Sequence, residues 1–77
     1  MSAADAQEVK NALLRSDDTY RQLATRHHEL DTRLQQLSEK HYLTATEQFE
    51  EITLKKRKLA LKDQMEAIAR DYRSKAS

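Results

Sequence analysis

Seventy-seven residues, 38% of them hydrophobic and 35% charged, suffice for at most one small domain, whose core must be thin. Fourteen basic against thirteen acidic side chains leave a net charge of +1, which supplies no global field for nucleic acid or a membrane surface. The absence of Cys excludes a disulfide framework, thiolate metal ligation and thiol chemistry, and suits a reducing cytoplasm.

Gly and Pro are absent as well, so the usual hairpin and strand punctuation is missing, while Ala, Leu, Gln, Glu, Lys and Arg favour helix. Met1 to Lys10 contains no basic stretch followed by an apolar core, and no apolar run approaches the roughly 20 residues that span a bilayer. A soluble cytoplasmic protein is expected, with no membrane contact.

In chain order, Ser2-Ala3-Ala4-Asp5 has the form of a capping box and predicts a short helix over residues 3–15. Ser16-Asp17-Asp18 is a second cluster of cap-type residues, which favours a break there. The unbroken 3-4 series through Ala6, Val9, Leu13, Ser16, Tyr20, Leu23, His27, Leu30, Leu34 and Leu37 also allows one continuous helix. With the break, the first long helix covers residues 17–41. A turn follows at 42–44, where Tyr42 and Leu43 are expected to cover the chain reversal. Thr44-Ala45-Thr46-Glu47 is then a capping box that opens a second long helix, residues 45–73. The two long helices are about 37 Å and about 43 Å in length, and so short a connection makes them antiparallel neighbours. The expected fold is a single all-α domain over residues 1–77, a coiled-coil-like antiparallel helical hairpin with a short N-terminal helical segment, that self-associates.

With the turn centred on Leu43, Leu37 faces Phe49, Leu34 faces Ile52 and His27 faces Leu59. The expected hairpin seam is therefore Leu23, His27, Leu30, Leu34 and Leu37 against Phe49, Ile52 and Leu59. At about 100° per residue, Leu54, Leu61, Met65, Ile68 and Tyr72 fall on nearly the opposite side of the second helix. One helix partner does not bury both faces, so this second stripe must meet the segment around Val9 and Leu13, another copy of the chain, or a foreign helix. It is assigned as the partner or oligomer interface.

No catalytic constellation emerges. His27-His28-Glu29 places adjacent side chains about 100° apart, so they do not converge on one ion. His27 and Asp31 have i, i+4 spacing, but His27 lies on the apolar stripe, where a half-buried histidine or an ion pair with Asp31 or Asp63 is the simpler reading. His41 suits a helix C-terminus. Lys55-Lys56-Arg57-Lys58 and Lys62 form the one basic run. Lys55, Lys58 and Lys62 share a strip that offers an anion contact, yet Glu51 and Glu66 are spaced to pair with it and no aromatic platform accompanies it. Without a Gly-rich phosphate loop or a concave pocket, an enzyme, a cofactor and a small-molecule ligand are not expected.

His28-Glu29-Leu30-Asp31 together with Leu54-Lys55-Lys56-Arg57-Lys58-Leu59-Ala60-Leu61-Lys62-Asp63-Gln64-Met65 resembles the YdcH-like family of small bacterial proteins of unknown function, over about residues 13–70. The resemblance implies a short cytoplasmic helical protein with coiled-coil character, and carries no catalytic residue with it. Family members commonly open the first long helix with proline, where this chain has Asp18 and leaves Asp17 as the cap. Asp31 is expected to fix the hairpin register by pairing across the hairpin with Lys55 or Lys56, with Lys56 taken as the pair. Function is expected to be noncatalytic association, as a homo-oligomer or with a helical protein partner, through the Leu54 to Tyr72 stripe. The alternative is a nucleic-acid-associated protein using Lys55, Lys58 and Lys62. The cellular role, the partner and the oligomer number are not encoded in these patterns.

Overall fold

The computed structural model describes residues 3–76, with side chains from Ala6 to Lys75. Three helices follow in order, α1 at Ala3–Ser16, α2 at Asp18–Ser38 and α3 at Ala45–Ala76, and no strand occurs among the described residues. α2 and α3 form an antiparallel hairpin, and α1 packs back against both. The body measures 49 × 21 × 19 Å.

The break at Ser16 and Asp17 is made by side chains. The Ser16 hydroxyl donates back to the Ala12 carbonyl at 2.7 Å. Asp17 then adopts extended backbone, φ −121° and ψ 109°, and its carboxylate accepts from the Tyr20 amide at 2.8 Å. That bond satisfies one of the amides orphaned at the start of α2, and Asp18 adds negative charge to the same first turn. The chain therefore breaks rather than running on as one helix, because a strong cap stands where the 3-4 series would continue. The Ser2 capping box lies outside the described residues.

α2 ends at Ser38, earlier than the expected 41, without a left-handed residue. Glu39 stays in the right-handed helical region, φ −81° and ψ −11°, and its amide donates to Gln35 O while the Lys40 amide donates to Leu37 O. The Ser38 hydroxyl takes a further share of the Gln35 carbonyl at 2.7 Å. With no Gly available, the end is closed by these short bonds. Residues 39–44 then connect to α3, and Tyr42 is almost fully exposed, so it does not cover the turn. The start of α3 is a complete capping box: the Glu47 amide donates to Thr44 Oγ1 at 3.1 Å, and the Thr44 amide donates to Glu47 Oε1 at 3.0 Å. α3 runs to Ala76, three residues beyond the expected end.

The core consists of Leu13 from α1, Tyr20 and Leu37 from α2, and Leu54 from α3. The α2 stripe enters the hairpin as expected, with Leu23, His27, Leu30 and Leu34 half-buried. α3 does not turn the expected face towards it. Leu54 is 8% exposed, whereas Phe49, Ile52 and Leu59 are 72%, 54% and 60% exposed. The second helix is thus rotated by about half a turn from the expected seam.

Apolar length explains the rotation. The inward stripe of Leu54, Leu61, Met65 and Ile68, with Tyr72 at its edge, runs from opposite the Asp31 and Arg33 stretch of α2 to the loop-distal end of the hairpin and reaches α1. Met65 shares a groove with Ala6 and Val9 of α1 and with Tyr20 of α2. The Phe49, Ile52 and Leu59 set stops halfway along α3. At roughly 1.5–3 kcal/mol for each fully buried aliphatic or aromatic side chain, the longer stripe wins the interior. Removing Leu54 should accordingly cost about 2–5 kcal/mol in a Leu54→Ala chain, against about 0.5 kcal/mol or less for Ile52→Ala. Urea denaturation at micromolar dilution checks the pair, and equal costs would contradict this orientation of α3.

Candidate functional site

Two ion pairs bind α2 to α3 and a third ties the connection to α3, and all three lie beside the Leu54 stripe. Arg33 and Glu50 meet in a two-pronged bond, Nε to Oε2 at 3.0 Å and Nη2 to Oε1 at 2.9 Å. Lys40 pairs with Glu47 near the turn, and Lys58 pairs with Asp31 nearer the middle of the hairpin. On α3, Glu47, Glu50 and Lys58 stand within about 40° of Leu54 around the helix axis. Lys56 stands about 160° away, so it cannot serve as the register partner of Asp31; the pair is Asp31 with Lys58.

These pairs hold their carboxyls in the charged form. Lys40, followed by the Thr44 amide, lowers Glu47 from 4.5 to about 2. Arg33 lowers Glu50, and Lys58 lowers Asp31. Apart from Glu47, which is largely covered, the charges remain partly open to solvent, so the pairs fix which groove of α2 each α3 side chain enters more than they add stability.

The same pairs occupy much of the expected anion strip. Lys58 is committed to Asp31, and Lys55 reaches Glu51 one turn back at 3.7 Å. Of the three lysines only Lys62 has no ion pair among the described residues. His27 is half-buried at the groove beside Asp31 and Lys58. Among the described residues, no three His, Cys, Asp or Glu side chains are placed to hold a metal ion. Among the described residues, likewise, no helix is long and apolar enough to cross a membrane.

The assigned partner stripe changes role. Leu54, Leu61, Met65 and Ile68 are buried or half-buried between the helices, and only Tyr72 approaches open exposure. Of the three coverings the sequence allows for this stripe, the one observed includes the segment around Val9 and Leu13, which comes from the same chain. The outward face of α3 carries what remains: Phe49, Ile52 and Leu59, continued at 3-4 spacing by Asp63, Glu66 and Arg70, with Lys56 between Ile52 and Leu59; Leu59 and Glu66 stand at its edge, where Leu59 also lines the groove with His27 and Leu34 and Glu66 the groove with Val9. Lys56, Asp63, Glu66 and Arg70 are exposed and have no ion pair among the described residues. This outer strip went unrecognised because Phe49, Ile52 and Leu59 were placed inside. The signal that locates it is the position of Glu47, Glu50 and Lys58, which flank Leu54 opposite Lys40, Arg33 and Asp31.

The molecule is an all-helical hairpin with a docked N-terminal helix. Residues 21–69 match the family model described as "Protein of unknown function (DUF465)", and the chain belongs to that family of small proteins. No curated protein and no solved structure matches it. The family core covers most of α2 and α3, while α1 and its Asp17 hinge lie outside the matched stretch.

The depressed carboxyls give a pH dependence of definite sign. Groups charged more readily when folded stabilise the fold fully above their unfolded values, near 4.5 for glutamate, and lose that contribution as pH falls through the folded value. Thermal stability should therefore decline between about pH 5 and about pH 2. In a Lys40→Ala chain the Glu47 carboxyl should titrate nearer its ordinary value, as followed by carbon-detected NMR. An unchanged Glu47 titration would remove Lys40 as the principal cause.

Proposed function

We propose that this protein is noncatalytic and acts by helix association, through the outer strip of α3 centred on Phe49, Ile52 and Leu59. The observation that supports this reading most is the exposure of those three side chains, 72%, 54% and 60%, on one face of one helix. Scattered surface leucines are ordinary, but large apolar groups spaced by three and then seven residues share one helix face and form a seam of the kind helices bury against one another. The competing nucleic-acid reading is weakened by the commitment of Lys55 and Lys58 to Glu51 and Asp31.

The reading separates two substitutions that look alike in sequence. Phe49→Glu should leave helicity and melting nearly unchanged and abolish association, because its side chain projects away from the hairpin. Leu61→Glu should unfold the chain or lower its melting temperature sharply, since an unpaired carboxylate would enter the interhelical contact. Circular dichroism combined with multi-angle light scattering distinguishes the two. A folded Phe49→Glu chain that associates as the parent does would refute the outer strip as the working surface.

A further inference from the structure

We infer that the occupant of the outer α3 strip is a second copy of this chain, laid antiparallel about a twofold axis near Leu59 and Ala60. This rests on the association reading above and adds the partner, the direction and the register. Charge order along the strip carries it. From the N-terminal end the exposed face reads Phe49, Ile52, Lys56, Leu59, Asp63, Glu66, Arg70, with the apolar groups and Lys56 in the first half and the acidic pair followed by Arg70 in the second.

Parallel pairing would stack Lys56 on Lys56 and Asp63 on Asp63, which is repulsive at both positions. Antiparallel pairing about Leu59 brings the two Leu59 side chains together at the centre. It also sets Lys56 of each copy opposite Asp63 of the other, with Glu66 one turn further on. Arg70 then falls against Phe49 of the second copy, where a guanidinium can lie over an aromatic face. A twofold axis makes the Lys56 with Asp63 and Phe49 with Arg70 contacts occur twice and the central Leu59 contact once.

The charges involved are unspent within the monomer. The ion pairs of α3 with α2 and the connection use Glu47, Glu50 and Lys58, and those within α3 use Glu51, Lys55, Asp71 and Lys75. Lys56 and Asp63 belong to none of them. The net charge of +1 adds no long-range repulsion between copies. Leu59 packing on Leu59 at the axis, with Phe49 under Arg70 and Ile52 against the aliphatic stem of Glu66, would supply the apolar burial, and the Lys56 and Asp63 pairs would choose its direction.

A charge-swap experiment on the full chain tests this by sedimentation equilibrium at low salt, with circular dichroism confirming helicity. The wild type should dimerise at micromolar to tens of micromolar concentration. Lys56→Glu and Asp63→Lys, each alone, should weaken self-association by about tenfold or more, because each turns two attractive cross-pairs into repulsive ones. Mixed in equal amounts, the two variants should form a heterodimer of near wild-type strength, since both cross-pairs are then restored with reversed or native sign. Leu59→Glu separates the levels of failure. If Leu59→Glu dissociates the dimer but the mixed variants gain nothing over either alone, the antiparallel register is overturned and the association surface stands. A wild type that stays monomeric throughout, or a Leu59→Glu chain that dimerises unchanged, overturns the second copy as the occupant, and the unchanged dimer also overturns the surface itself.

Discussion

The rotational setting of α3 about its own axis is the constraint on which the rest of the molecule depends. Its apolar residues divide between two opposed faces, and a hairpin with one long partner can accept only one of them. Burial decides, because four or five large side chains outweigh three when each is worth on the order of 1.5–3 kcal/mol fully enclosed. Ion pairs partly open to solvent, worth roughly 0–1 kcal/mol each, are too weak to reverse that choice. They do lie on the same side of α3 as Leu54, so charge and apolar burial favour one orientation. Agreement between levels of this kind is what gives a small chain a single packing.

A second constraint is the absence of Gly and Pro, which obliges side chains to end and restart the helices. Asp17 and Thr44 do this work by accepting the amides of Tyr20 and Glu47. Both positions are polar in an otherwise helix-favouring sequence, and both divide elements that must change direction. The α1 to α2 break has a consequence for packing, because a straight continuation would carry Val9 and Leu13 past the end of the hairpin. Turned back at Asp17, α1 buries Leu13 and shares a groove with Met65. A short helix thereby supplies cover that two long helices alone lack.

Much of this was legible in the residues. The caps at Asp17 and Thr44, the antiparallel hairpin, the continuous stripe of α2 and the two faces of α3 follow from spacing and cap chemistry. The inward face of α3 did not, and the reason is physical. Matching apolar residues across the turn pairs Leu37, Leu34 and His27 plausibly with Phe49, Ile52 and Leu59, and periodicity alone has no preference between that match and its rotated alternative. The assignment of Lys56 to Asp31 carried the same rotation, since Lys56 lies on the Phe49 side of the helix. Electrostatic flanks resolve it: Lys40, Arg33 and Asp31 have partners of opposite sign at Glu47, Glu50 and Lys58 only when Leu54 faces inward.

α1 and the outer strip are linked by this geometry. Were α1 absent from the bundle, the loop-distal half of the Leu54 to Tyr72 stripe would lie open, and two uncovered faces would compete for any incoming helix. With α1 docked, the inner stripe is covered along most of its length up to Tyr72 at its end, and the large apolar groups left most exposed on α3 are those of the loop-proximal outer strip. Docking within the chain therefore acts as a specificity device, because it removes the longer and stickier surface from competition. What remains is short, mixed with unspent charges and centred near the middle of α3. A surface of that composition discriminates by direction as well as by burial, since Lys56 and Asp63 penalise every approach that sets like charges together.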